Sequence, residues 1–124
     1  MKSLSGKFKK ALIVEDDESL CDIYKEILDL ENISIDIATN IATAEKFLTA
    51  NDYDLLIVDW NLNGQSSSRF LNNKKFKDRI PSATLIITGY SDHEDFDKDL
   101  VKTFNVLYKP FSLDLLRNVL IDLN

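Results

Sequence analysis

Five polar side chains stand out because each closes or directly follows an apolar run. Glu15 and Asp16 follow "ALIV", Asp59 ends "DLLIVD", Thr88 ends "ATLIIT" and Lys109 follows "NVLY". A buried, unpaired charge is strongly disfavoured, so a carboxylate at the end of a buried strand must either reach solvent or meet a cation. Three carboxylates about 4 Å apart repel by roughly 4 kcal/mol per pair at an effective dielectric of about 20, which a divalent cation would relieve. Oxygen ligands without histidine or thiolate suit Mg²⁺, which keeps several waters and takes one or two carboxylates together with phosphate oxygen. The set therefore anticipates a phosphoryl group. Lys109 would neutralise one of its oxygens, and Thr88 would donate a hydrogen bond to another.

Such a cluster requires a scaffold that brings the ends of separate strands together. Apolar runs at Lys10–Glu15, Ile33–Ala38, Asp54–Asp59, Ala83–Thr88 and Asn105–Lys109 alternate with segments of helical period. That alternation is the sequence form of repeated βα units around a parallel sheet. Strands of a parallel sheet point one way, so their C-terminal ends form the edge where ligands bind. The first, third and fourth runs have continuous apolar centres, as strands covered on both faces do. Leu20, Ile23, Tyr24, Ile27 and Leu28 form one helical stripe. Ile41, Ala44, Phe47 and Leu48 form a second, capped by Asn40, and Leu116, Val119, Leu120 and Leu123 a third, capped by Ser112. Helices are also expected over Ser66–Phe76 and Asp92–Phe104, where the apolar residues are sparser.

At 124 residues with 44% apolar content, the chain is sized for one domain with one core: a basic tail over 1–8 and a domain over 9–124. Its net charge of −6 works against binding nucleic acid or an anionic membrane surface. No apolar run has the length of a membrane span and "MKSLSGKFKK" is no signal peptide, so a cytoplasmic location is expected. Lys2, Lys7, Lys9 and Lys10 read as a solvated tail, and the lone Cys21 as a small apolar residue on a helix. Acidic residues after a strand also cap the following helix, so "EDD" alone does not decide between capping and chemistry. The joint pattern does more, since the residues close four different strands and serve one chemistry.

These residues resemble the receiver domains of two-component response regulators. "LIVEDDE" is similar to that family's acidic pair, "DLLIVDWNLNG" to its phosphoacceptor segment, "LIITGYSD" to its fourth-strand signature and "LYKPFSLDLL" to its lysine-proline signature, over a span from about Lys9 to Leu123. The resemblance implies a flavodoxin-like (βα)5 three-layer sandwich with sheet order 2-1-3-4-5. It implies Asp59 as the carboxylate phosphorylated by a phosphohistidine donor, either a histidine kinase or a phosphotransfer protein. Asp16 and Asp59 would bind Mg²⁺, with Glu15 acting through water and Asn61 supplying its backbone carbonyl. Thr88 and Lys109 would hold the phosphoryl oxygens, and the Lys109–Pro110 bond would be cis. The chain would be a phosphoacceptor rather than an enzyme acting on other substrates, and it would signal by contact with a downstream protein.

The sequence departs from the family pattern at several positions. Asn63 and Ser67 stand where the family usually has proline and glycine, and Val106 stands at the position of its switch aromatic, with Tyr108 next to Lys109. Tyr90 occupies the position where the family tunes loss of the phosphoryl group. His93 reads as a solvated helix-start residue. An acidic run, Asp92, Glu94, Asp95, Asp97 and Asp99, follows a basic one, Arg69, Lys74, Lys75, Lys77 and Arg79, in the sequence, and the readout surface is expected on the helix over 92–104, the fifth strand and the last helix. A phosphatase of the haloacid dehalogenase type would need a second aspartate where Asn61 stands. A flavodoxin proper would need a phosphate-cradling loop where "EDDE" would repel phosphate. A receiver-like scaffold that takes no phosphate is a third alternative.

Overall fold

β-Branched and leucine-rich runs give strands β1 (Lys10–Val14), β2 (Ser34–Ala38), β3 (Leu55–Asp59), β4 (Thr84–Thr88) and β5 (Asn105–Tyr108). The computed structural model describes Leu4 and residues 6–89 and 104–123. All pairings within this sheet are parallel, in the order β2-β1-β3-β4-β5, which is the flavodoxin-like order expected. Every residue of β3 and β4 is buried, and so are the last four of β1, as central strands covered on both faces must be. β2, at an edge, buries only Ala38.

Side-chain alternation divides the core into two layers. Ala11, Ile13, Leu55, Ile57, Leu85, Ile87 and Leu107 pack with Tyr24 and Leu28 of α1 (Glu18–Leu30) and with Leu116 and Leu120 of the C-terminal helix (Leu113–Asp122). Leu12, Val14, Leu56, Val58 and Ile86 pack on the other face with Ile41, Ala44 and Leu48 of α2 (Ile41–Ala50) and with Phe70 and Leu71 of α3 (Ser68–Leu71). The expected caps form. Asn40 Oδ1 accepts from the Thr43 N–H at 2.8 Å and Ser112 Oγ from the Leu115 N–H at 3.0 Å.

Three expectations need correction. The stretch before β1 is not a solvated tail throughout, because Leu4 and Phe8 are buried in the first core layer and Lys7 donates to the Ile121 carbonyl. No single helix spans Ser66–Phe76 either. Asn61–Leu62 pairs antiparallel with Gln65–Ser66 around Asn63 and Gly64, whose φ angles are 51° and 83°, and after this hairpin come the short α3 and a 3₁₀ turn at Lys74–Phe76. Asn-Gly is the pair that tolerates positive φ at both central positions of a two-residue hairpin. Asn73 caps the start of that 3₁₀ turn, its side chain accepting from the Lys75 N–H at 3.0 Å. Arg79, counted above in a basic surface run, is instead drawn onto the end of α2. It donates to the Leu48 and Asn51 carbonyls, each at 2.7 Å, and pairs with Asp52 at 2.8 Å. Tyr90, His93, the acidic run over 92–99 and all of the expected 92–104 helix except Phe104 lie outside the described residues.

Candidate functional site

The acidic residues meet because of strand register. Val14 of β1 lies beside Val58 of β3, so the next residues, Glu15 and Asp59, are neighbours just beyond the paired positions. Glu15 still donates its N–H to the Ala38 carbonyl at 3.0 Å, which keeps it in line with the sheet. Asp16 follows on the turn into α1. Carboxylate oxygens of Glu15, Asp16 and Asp59 all lie within 4.8 Å of one another, with Glu15 and Asp59 buried and Asp16 exposed.

The alternative role for "EDD" is filled by its third member. Asp17 caps α1, accepting from the N–H groups of Ser19 at 2.9 Å and Leu20 at 3.2 Å. Glu15 and Asp16 are thereby left for the cluster.

Lys109, just past β5, brings the cation. Its Nζ lies 2.9 Å from Asp59 Oδ2 and 3.9 Å from Glu15 Oε1, and the Lys109–Pro110 peptide bond is cis. Burial works against the lysine's charge, but the hydrogen bond and charge of Asp59 outweigh it and raise the Lys109 pKa. Glu15 shows the opposite imbalance. Burial, then the nearby Asp59 charge, pushes its carboxyl from 4.5 up to about 8. Glu15 Oε1 is also buried without a hydrogen-bond partner. One lysine does not satisfy this carboxylate set, and an unpaired, buried, oxygen-only donor beside two further carboxylates fits a hard divalent cation.

Thr88 closes β4 fully buried, and its carbonyl accepts from the Lys109 N–H at 2.7 Å, so hydroxyl and lysine share one backbone link. Asn61 donates its N–H to Asp59 Oδ1 at 3.2 Å, while its own side-chain oxygen accepts from Gly64 N–H at 3.0 Å. The structure thus brings Glu15, Asp16, Asp59, Asn61 and Lys109 together at one sheet edge, with Thr88 at the end of the neighbouring strand.

Both loop departures acquire a physical role. Asn63 N–H donates to Asp16 Oδ2 at 3.0 Å, so the hairpin turn holds the one exposed carboxylate of the cluster. Ser67 is fully buried and its Oγ donates to the Asp59 carbonyl, pinning the strand end. Sequence reading identified both positions without assigning these contacts; the Asn63-Gly64 pair was the available signal for the first. Val106 packs half-buried against the second core layer. A cavity of about 450 Å³, lined in part by Leu71, Lys77, Ile80 and Phe104, shares no residue with the cluster.

Comparisons with known proteins agree with this geometry. Residues 11–121 match the model of the response regulator receiver domain. The chain is 27% identical over 94 residues to the transcriptional regulatory protein ComA of Bacillus subtilis, covering 73% of this chain and 44% of that protein. It is 26% identical over 112 residues to the regulatory protein VanRB of Enterococcus faecalis, covering 86% and 48%. It therefore spans about half the length of those two relatives. With the chemotaxis protein CheY-3 of Vibrio cholerae it shares 28% identity over 123 residues, covering 97% and 95%. The fold is similar to that of a response regulator receiver domain protein from Clostridium thermocellum, with a TM-score of 0.75 at 20% identity and 92% of each chain covered. Among the described residues no helix is long and apolar enough to cross a membrane.

Proposed function

The chain belongs to the response regulator receiver domain family, and from that premise we propose that Asp59 is its phosphoacceptor. The Asp59 carboxylate attacks the phosphorus of a phosphohistidine carried by a separate kinase or phosphotransfer protein. A P–O bond forms as the P–N bond breaks, and the imidazole nitrogen leaves with the electron pair. The observation that carries this reading is the convergence of Glu15, Asp16 and Asp59, two of them ion-paired to one lysine, with a buried Glu15 oxygen that has no hydrogen bond.

Glu15, Asp16 and Asp59, with the Asn61 backbone carbonyl, would hold Mg²⁺, which when bound supplies positive charge against the phosphoryl oxygens. The chain's own residues do the rest. Lys109 neutralises one phosphoryl oxygen, Thr88 donates to another, and the Asn61 N–H orients the Asp59 carboxylate, so catalysis is mostly positioning and charge stabilisation.

Phosphorylation changes the partners available to Thr88 and Lys109. New charge-assisted bonds contribute about 1.5 to 3 kcal/mol each, comparable with the roughly 5.5 kcal/mol that inverts a 1:99 population. The Lys109 N–H to Thr88 carbonyl bond couples their movements. The readout surface would then comprise the segment after Thr88, β5 and the C-terminal helix, presented to a downstream protein in the cytoplasm.

Incubation with acetyl phosphate and Mg²⁺ followed by intact mass measurement tests this reading. The wild type gains one phosphoryl group and Asp59→Asn gains none. An unchanged wild-type mass, or an equal gain in the variant, would refute it.

A further inference from the structure

Among the described residues, Tyr24 carries a second buried polar atom without a hydrogen-bond partner. Its side chain is only 1% exposed, and its hydroxyl makes no hydrogen bond. A buried phenol usually finds an acceptor, because leaving the O–H unpaired forfeits its hydration. Neighbouring structure indicates which acceptor is in reach. Strand alternation puts Glu15, Asp59 and Lys109 on the same face as Ile13, Ile57 and Leu107, the face covered by Tyr24. One turn before Tyr24 on α1, Cys21 Sγ contacts the Glu15 carbonyl at 3.5 Å, so this helix face lies directly against Glu15. On its other side Tyr24 stacks on Phe111 at a centroid distance of 6.4 Å, and Phe111 follows Lys109 by two residues. The ring thus lies in the core layer whose strands end in Glu15, Asp59 and Lys109. The charges that disfavour ionisation of its hydroxyl, after burial itself, are Glu15 first and then Asp59.

Two unpaired buried groups of opposite hydrogen-bonding sense, a donor on Tyr24 and an acceptor on Glu15, thus occupy one layer beneath the site. We propose that Tyr24 is a positioning residue for the acidic pair: in the ion-loaded site its hydroxyl donates to the Glu15 carboxylate and fixes that carboxylate's orientation toward the cation. This rests on the Mg²⁺ reading above. The effect matches the general behaviour of groups that orient metal-binding carboxylates, whose loss weakens metal affinity without touching the ion.

Trp60, the sole tryptophan, is buried and adjoins Asp59 in the chain, so its fluorescence serves as the readout of binding. Titration of the intact chain with Mg²⁺ is expected to give an affinity about tenfold weaker for Tyr24→Phe than for wild type. The ion-free thermal midpoint of Tyr24→Phe should stay equal or rise, since the ring remains and an unpaired hydroxyl is removed. In a Glu15→Asp background, where the carboxylate is drawn back from the helix, the same substitution should change Mg²⁺ affinity less than about twofold. An unchanged affinity for Tyr24→Phe beside a wild type that binds the ion would overturn the role of Tyr24 alone. Equal loss in both backgrounds would overturn it too. A wild type that binds no Mg²⁺ would overturn both this inference and the reading it rests on.

Discussion

One aspartate, Asp54, directly precedes β3 and another, Asp59, closes it, and the two ends are built on opposite principles. At the start, Asp54 accepts from the Lys9 N–H at 2.8 Å and the Lys10 N–H at 3.0 Å, and nearby Asp36 accepts from Tyr53 Oη at 2.7 Å with Lys10 Nζ at 3.7 Å. Each carboxylate there has its own donors. At the other end Glu15, Asp16 and Asp59 crowd within 4.8 Å around Lys109, and a buried Glu15 oxygen is left over. The first end closes the fold; the second leaves a buried carboxyl oxygen without a hydrogen bond, which suits the ion and phosphoryl group proposed above.

The largest test of that contrast is chemical. Asp59→Asn should abolish the mass gain with acetyl phosphate, while Asp54→Asn should retain it; phosphorylation lost in both would erase the distinction. Removing the cations comes next. Lys109→Ala should cost roughly 2 kcal/mol in denaturant unfolding at pH 8 without Mg²⁺, because it strips the cation from a buried carboxylate. Lys10→Ala should cost less than about 1 kcal/mol, since Asp36 keeps Tyr53.

A pH series separates the ends further. Glu15's folded pKa of about 8 lies above its ordinary 4.5, so between those values the folded chain holds a proton that the unfolded chain has released. Stability of the ion-free protein should therefore fall as pH rises through this window and level off above it. Glu15→Gln should flatten that slope in thermal unfolding, and a slope unchanged by the substitution would contradict the assignment. Smaller effects belong to the supports. Ser67→Ala should cost about 1 kcal/mol by freeing the buried Asp59 carbonyl. Gly64→Ala should cost about 1 kcal/mol through its φ of 83° and loosen the turn that holds Asp16, measurable as weaker Mg²⁺ binding.

Much of the scaffold was legible because its signals are local. Apolar runs located β1 to β5 to within a residue, and Asn40 and Ser112 announced their caps. Short-range rules failed where a distant partner decided. Arg79 reads as part of a surface charge run, yet its guanidinium closes the end of α2, a segment some thirty residues earlier. Leu4 and Phe8 sit among lysines and read as tail, yet the core reaches out to cover them. The helix expected over Ser66–Phe76 gave way to the four-residue α3 and a 3₁₀ turn, where the Asn73 side chain takes up the Lys75 N–H.

Residue types and their places at strand ends were enough to single out Glu15, Asp16, Asp59, Thr88 and Lys109 as one group, since a parallel sheet gathers its strand ends along one edge. Which member of "EDD" would cap α1, which Glu15 oxygen would go unpaired and which ring would lie beneath it were settled only by packing. Those outcomes depend on distances of a few ångströms between segments far apart in the chain, and on the low dielectric that burial creates around them. No sequence window contains either quantity.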